Sequence, residues 1–72
     1  MTKFIGKGVM QQFSQEVILQ TQISVANLPR LLQMPQELEK NLIVVRDHRK
    51  LDENDLILNN DEIYLYLAVM GG

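Results

Sequence analysis

The run from Ile63 to Val69 constrains the fold of this chain more than any other segment. If this run forms a strand, one side of the strand carries the apolar residues Ile63, Leu65 and Leu67. The opposite side would carry Tyr64, Tyr66 and Ala68. Because side chains of a strand point to alternate faces, this pattern predicts a strand with one face against a core. Such a strand needs partner strands and a covering layer, which the rest of the chain must supply.

Two candidate strands lie in the first third of the chain. The first runs from Phe4 to Met10, although Gly6 and Gly8 lower its strand propensity. The second, from Glu16 to Thr21, is rich in β-branched and apolar residues. We expect the two to form a hairpin, with the intervening segment up to Gln15 as late strand or turn.

The middle third predicts a helix. Ser24 and Asn27 both carry a side-chain oxygen suited to an N-cap, and Pro29 decides between them. With Asn27 as N-cap, Pro29 lies in the first turn, where its missing N–H is not needed. We therefore expect a short helix over residues 28–33 that follows a looser turn. It would direct a leucine stripe at the sheet, made of Leu28, Leu31 and Leu32.

Pro35 should end this helix, and one further helical turn is expected over residues 36–40. Leu42–Arg46 then predicts a strong strand, followed by a turn at Asp47-His48 and a short return strand over residues 50–51. Residues 52–55 predict a capped single helical turn that leads into the apolar residues 56–58. Residues 59–61 predict a tight turn, since asparagine tolerates positive φ.

This element order predicts an α+β fold of the β-grasp (ubiquitin-like) type. The sheet would be mixed, with four to five strands, and one main helix would pack across it. We expect a single domain over residues 1–69 and a flexible tail over residues 70–72 that ends in Gly-Gly.

Composition excludes several classes of function. The 72 residues contain no cysteine, so the chain cannot form a disulfide framework, a thiolate zinc site or a cysteine nucleophile. The net charge of −2 comes without a basic block, so we expect no nucleic-acid partner. No apolar run approaches the length of a membrane span or a signal-peptide core, so we expect no membrane partner and a cytoplasmic protein.

The C-terminal thirty residues carry three motifs that resemble one family. These are the strand and turn at 43–51, the Leu58-Asn59-Asn60-Asp61-Glu62-Ile63 turn, and the Val69-Met70-Gly71-Gly72 end. Together they resemble the MoaD/ThiS family of sulfur-carrier proteins. The chain departs from that pattern at His48 and Asn60, which stand where the family usually has glycine. Both residue types accept left-handed geometry better than most, so the turns can form.

The resemblance implies chemistry at one group, the carboxylate of Gly72. An E1-like adenylating enzyme would activate it with ATP, and a sulfurtransferase or cysteine desulfurase would supply the sulfur of a thiocarboxylate. Met70 and Gly71 would occupy the narrow channel of that partner. The acceptor would be a thiazole synthase of thiamin biosynthesis, favoured over a molybdopterin-synthase large subunit. The chain lacks both the Pro-Pro common before the molybdopterin-type tail and the strand-turn signature near the start of many thiamin-type carriers. The chain would bind no cofactor and no metal, and would be a protein co-substrate rather than an enzyme.

A partner-binding surface is expected on the sheet face opposite the core. Its predicted residues are Val45, Tyr64, Tyr66 and Ala68. Exposed aromatic residues often anchor interfaces, which favours a partner-binding role. The strand propensity of tyrosine and valine on a solvated face accounts for these residues equally well. His48 is the one candidate acid–base side chain, and its place in a turn accounts for it. Residues 52–57 fail as a calcium loop, because Leu56 and Ile57 stand where an oxygen ligand and a glycine are needed.

Two other functions use the same sequence features. A ubiquitin-like protein modifier or a tRNA-thiolation carrier would activate the same Gly-Gly end. A non-catalytic interaction module would instead have an inert tail and function through its surface alone.

Overall fold

Seven strands and two single-turn helices lie along residues 1–68, the part of the chain that the computed structural model describes. The strands are β1 (Thr2–Gly6), β2 (Gln15–Val17), β3 (Ile23–Ser24), β4 (Leu42–Arg46), β5 (Arg49–Lys50), β6 (Leu56–Ile57) and β7 (Glu62–Leu67). The helices are α1 (Leu28–Leu31) and α2 (Gln36–Glu39), and 3₁₀ segments span Gly8–Phe13 and Val25–Asn27.

Five of the strands form a mixed sheet in the order β2-β1-β7-β4-β5. β1 and β7 are parallel at its centre, and the other neighbours are antiparallel. β3 and β6 pair separately as a two-stranded sheet, which the sequence did not predict. The α+β class and the mixed five-stranded sheet are therefore confirmed.

The core lies on one face of this sheet. The strands contribute Phe4, Val44, Ile63 and Leu65, and the helical segments contribute Met10, Val25, Leu28 and Leu32. Val44 is the register partner of Leu65 and Phe4 that of Ile63, so these side chains share a face. As predicted, Ile63 and Leu65 point inward, and both are fully buried.

The first strand is shorter than predicted. β1 ends at Gly6, and the chain then folds back in the 3₁₀ segment Gly8–Phe13, whose Met10 is fully buried. A Cβ on Gly6 would lie 1.8 Å from the Met10 carbonyl oxygen, so only glycine permits this close approach. The prediction of a strand from Phe4 to Met10 was thus wrong beyond Gly6, because Gly6 and Gly8 allow the backbone to reverse.

The second strand is also shorter than predicted, although the antiparallel hairpin is confirmed. β2 covers Gln15–Val17, whereas the prediction ran from Glu16 to Thr21. After Val17 the chain leaves the sheet because the N–H of Leu19 donates to the Asn59 side chain at 3.2 Å and Leu19 packs into the core. A contact forty residues distant therefore ends this strand.

The helical layer is divided, not one main helix. α1 begins after Asn27 with Pro29 in its first turn, as predicted, but the Asn27 side chain donates to the Ser24 hydroxyl and does not cap the helix. α1 ends at Leu31, two residues before the predicted end at Gln33, whose φ is +55°. Leu31 is 38% exposed, so its predicted place in the core-facing stripe was wrong.

The last third follows the prediction closely, with small corrections at the element boundaries. The turn at Asp47-His48 is confirmed by φ values of 53° and 66°, and the return strand β5 starts one residue earlier than predicted. The segment from Asp52 to Asp55 forms a single hydrogen-bonded turn and no helix, closed by the Asp55 N–H, which donates to the Asp52 carbonyl oxygen at 3.0 Å. The predicted cap is present, because the Asp55 carboxylate accepts the Asp52 N–H at 2.7 Å.

The predicted tight turn before the last strand is confirmed, with Asn60 at a φ of 78°. β7 starts at Glu62, one residue before the predicted start, and ends at Leu67. The predicted strand was wrong at Ala68, which follows the end of β7, and its last residue, Val69, lies outside the described residues. Within residues 1–68, no helix is long and apolar enough to cross a membrane.

Candidate partner-binding face and C-terminal end

The predicted tail residues Met70, Gly71 and Gly72 lie outside the described residues. The structure does describe the strand that leads to them. β7 lies between β1 and β4, and the N–H of Ala68, directly after it, donates to the Asn41 carbonyl oxygen at 2.8 Å. The backbone is thus held to a neighbouring strand up to Ala68, which is half-buried.

The start of β7 is held by the turn over residues 59–61. The Asp61 carboxylate accepts from the Arg46 guanidinium and from the Leu58 N–H, both at 2.9 Å. The Asp61 carbonyl oxygen accepts the Lys3 N–H at 2.9 Å, which joins β1 to the same turn. β7 is therefore fixed at both ends, and this rigidity sets the positions of the side chains along it.

The face of the sheet opposite the core is called the open face here. One row across it, given by the strand register, consists of Ile5, Tyr64, Val45 and Lys50. The next row toward the end of β7 pairs Tyr66 with Ile43. Paired residues on neighbouring strands share a face, so these side chains form one continuous surface. Tyr66 is 39% exposed, and Tyr64 and Val45 are half-buried.

Tyr64 is held between two charged groups. The Lys7 ammonium lies 5.6 Å from the centre of its ring, within range of a cation–π interaction. The Tyr64 hydroxyl donates to the Glu62 carboxylate at 2.6 Å. That hydrogen bond, together with the charge of Glu62, raises the pKa of Tyr64. The Tyr64 hydroxyl therefore stays protonated, as a hydrogen-bond donor, to a higher pH than that of an ordinary tyrosine.

Charge is unevenly distributed on the open face. At the start of β7 the register aligns Glu16, Lys3 and Glu62, a row of alternating sign. The two rows nearer the C-terminal end carry the aromatic and branched residues and no carboxylate. Lys7 and Lys50 are the cations beside those rows. A shallow depression on this face has an apolar part formed by Val45, Tyr64 and Tyr66. Its polar lining consists of Lys7, His48 and the two carboxylates of Asp47 and Glu62.

The structure thus brings together three of the four predicted surface residues. Val45 and Tyr64 are direct register partners, and Tyr66 follows two residues along β7. Ala68 continues the same strand direction just beyond β7. The sequence pattern did not single out four other residues at this face: Ile5, Ile43, Lys7 and Lys50. Ile5 could have been found from the alternation of Lys3, Ile5 and Lys7, whereas the uniformly apolar run of β4 hides which residues face outward.

What this face can do chemically is bind. Within residues 1–68 no group of three or more His, Cys, Asp or Glu residues is arranged to hold a metal ion. His48 lies in the β4–β5 turn, as its predicted structural role requires. The aromatic rings and branched side chains supply apolar contact area, and the lysines supply charge.

Comparison with known proteins assigns no family. No protein-family model matches the chain, and no curated protein shows significant similarity to it. The resemblance to the MoaD/ThiS family therefore rests on the motifs of the sequence alone.

Proposed function

We propose that this protein is a sulfur carrier whose Gly72 carboxylate is activated by an E1-like enzyme and converted to a thiocarboxylate. The observation that carries the proposal is the placement of the Met70-Gly71-Gly72 run. In the sequence it follows β7, the central strand of the mixed sheet, after Ala68 and Val69. A backbone held as far as Ala68 and followed by two glycines suits delivery of a carboxylate to a partner's active site.

The proposal includes the β-grasp fold. Its support is a hairpin that leads into helical segments, with further strands that return to the same sheet. The helical segments cover one face and leave the other open, which is the arrangement a β-grasp needs. The division of the helical layer into single turns departs from the one main helix expected, while the order of the strands agrees with the expected fold.

The proposed reaction takes place on the partner. A Gly72 carboxylate oxygen attacks the α-phosphorus of ATP, and pyrophosphate leaves. A persulfide on the sulfur-donating protein then attacks the acyl carbon of the adenylate, and AMP leaves. A thiol reductant cleaves the resulting acyl disulfide, which frees the thiocarboxylate. Transfer of its sulfur to a thiazole of thiamin biosynthesis is favoured over transfer to a dithiolene. The chain contributes the reacting carboxylate and its binding surface but no catalytic side chain.

The open face is the proposed contact surface for the activating enzyme. Part of it lies on β7, the strand that precedes residues 69–72 in the sequence. Tyr64, Tyr66 and Val45 would supply the apolar contact. Contacts remote from the reaction supply binding energy that orients the reacting group.

ATP–pyrophosphate exchange tests the proposal directly. The full chain is combined with the E1-like enzyme of its own host, and exchange is expected. The variant that lacks Gly72 should keep the circular-dichroism spectrum of the parent and lose exchange. A matched control, Val9→Ser at an exposed position, should keep both the parent's circular-dichroism spectrum and its exchange activity. Exchange that persists without Gly72, or that is absent with the full chain, would refute the proposal. A Gly-Gly remnant on lysines of other proteins would instead identify a protein modifier.

A further inference from the structure

β2 is an edge strand of the mixed sheet, and its outer side pairs with no other strand within residues 1–68. The direction of its backbone groups follows from β1. The Lys3 N–H donates to the Asp61 carbonyl oxygen at 2.9 Å, so the backbone groups of Lys3 face β7. Successive residues of a strand direct their backbone groups to opposite edges, so those of Thr2 and Phe4 face β2.

The register with β1 identifies which backbone groups of β2 are paired. Gln15 and Val17 are the partners of those two β1 residues, so both exchange hydrogen bonds with β1. The N–H and C=O of Glu16, which lies between them, therefore point away from the sheet. Ile18 follows in the same phase, because the next N–H, that of Leu19, donates inward to a side-chain oxygen that also accepts from a hydroxyl of β1. Glu16 and Ile18 thus present an unpaired backbone edge.

The side chains along this edge leave apolar area uncovered. Ile18 is 66% exposed, and Val17 packs against the core but is only half-buried. The one charge of β2, on Glu16, has Lys3 as its register partner on β1. The other edge strand of the sheet, β5, consists of two exposed cations, a device that opposes pairing of an edge with its own copy.

From this edge we infer that the chain forms a symmetric dimer in which β2 pairs antiparallel with β2 of a second copy. The twofold axis lies at Val17, so Glu16 is opposite Ile18 of the second copy and exchanges both N–H···O bonds with it. The pairing joins the two five-stranded sheets into one. This self-association does not depend on the sulfur-carrier function.

Charge and backbone shape select this register. An axis at Glu16 would place two carboxylates directly opposite each other, which destabilises a strand pair. An axis at Ile18 would require Gln20 to pair, and that residue lies in a bend. With the axis at Val17, each Glu16 stays beside the lysine of its own chain and meets an apolar residue of the other. The two Val17 side chains meet on the core side, so their exposed parts are covered.

Sedimentation and amide hydrogen exchange test the dimer with the full-length chain. A strand pair this short buries less than the roughly 1,600 Å² of a standard interface, so we expect a weak dimer that forms between micromolar and millimolar chain concentrations. Over this range, exchange of the Glu16 and Ile18 amides should slow several-fold as they gain hydrogen bonds. The Lys3 amide, already bonded to the Asp61 carbonyl oxygen, should keep its rate.

Charge variants at position 18 test the register. Ile18→Glu places a carboxylate opposite Glu16 of the second copy, twice by symmetry, and should weaken association roughly tenfold. Ile18→Lys meets the same carboxylate with a cation and should keep association. Val9→Glu and Val9→Lys make the same charge changes at another exposed β-branched residue and should leave association unchanged. All four variants should keep the parent's circular-dichroism spectrum, since both positions are exposed.

Four results would overturn the dimer as described. These are a chain that stays monomeric at millimolar concentration, equal weakening by Ile18→Glu and Val9→Glu, equal weakening by Ile18→Glu and Ile18→Lys, and loss of association in Lys50→Glu. The last result would indicate that β2 pairs with β5 of the next copy, an open arrangement that grows beyond a dimer.

Discussion

Gln33 occupies a backbone conformation that favours glycine, so Gln33→Gly should stabilise the protein. Its φ is +55°, in the left-handed region. It ends α1 with two hydrogen bonds typical of a Schellman motif. The Gln33 N–H donates to the Arg30 carbonyl oxygen at 3.2 Å, and the Met34 N–H donates to that of Pro29 at 2.8 Å. The Gln33 side chain is exposed, so its removal leaves no gap in the core.

The size of the gain follows from two opposing terms. A residue with a Cβ in the left-handed region is destabilised by roughly 1–2 kcal/mol. Glycine loses more backbone entropy on folding, which offsets roughly 0.5–1 kcal/mol of that gain. We therefore expect Gln33→Gly to raise the free energy of unfolding by about 1 kcal/mol and Tm by about 4–8 °C.

Urea denaturation and thermal unfolding followed by circular dichroism measure this change. Gln33→Ala keeps the Cβ, so it should leave stability nearly unchanged. Arg30→Gly places glycine inside α1 and should lower stability by about 1 kcal/mol. If Gln33→Gly destabilised the protein as Arg30→Gly does, the assignment of Gln33 to the end of α1 would be wrong.

Three further predictions concern other parts of the fold and the open face. Gly6→Ala should unfold or severely destabilise the protein, since its Cβ would meet the Met10 carbonyl oxygen at 1.8 Å. Gly8→Ala has open space around its Cβ, so it should lower the free energy of unfolding by only about 1 kcal/mol. Asn59→Ala should lower the free energy of unfolding, measured by urea denaturation, by about 1–3 kcal/mol, because the Asn59 side chain accepts from the Thr2 hydroxyl and the Leu19 N–H. Asn54→Ala, in an exposed turn, should leave the free energy of unfolding unchanged. Ultraviolet titration should show that Glu62→Gln lowers the pKa of Tyr64 toward its ordinary value. The raised pKa contributes stability that is present below about pH 10 and is lost as pH rises through the folded-state pKa. This pH dependence should weaken in the variant, because Glu62 is the largest cause of the shift but not its sole cause.

Local sequence signals predicted much of the C-terminal half. The positions of β4, the Asp47-His48 turn and the turn at Asn60 follow from strand propensity and from residues that accept positive φ. The alternation of β7 correctly placed Ile63 and Leu65 in the core and Tyr64 and Tyr66 on the opposite face. These features depend on neighbouring residues, which is why the sequence alone predicts them.

The errors lie where distant contacts decide the local structure. β2 ends early because the Leu19 N–H reaches Asn59, and β1 ends early because the backbone at Met10 folds over Gly6. Lys7 lies at the open face because the strand register places β1 beside β7, which the sequence pattern does not reveal. No propensity or periodicity contains this information, because it arises from the pairing of segments far apart in the chain.

Intact-mass analysis of the protein purified from its native host tests the central claim most directly. A sulfur carrier predicts a fraction of chains that end at Gly72 with one carboxylate oxygen replaced by sulfur. Treatment with an alkylating reagent should increase the mass of that fraction and leave the mass of the other chains unchanged, since the chain contains no cysteine. Chains that carry residues beyond Gly72, or only the ordinary carboxylate while the host makes its sulfur-containing cofactors, would contradict the claim.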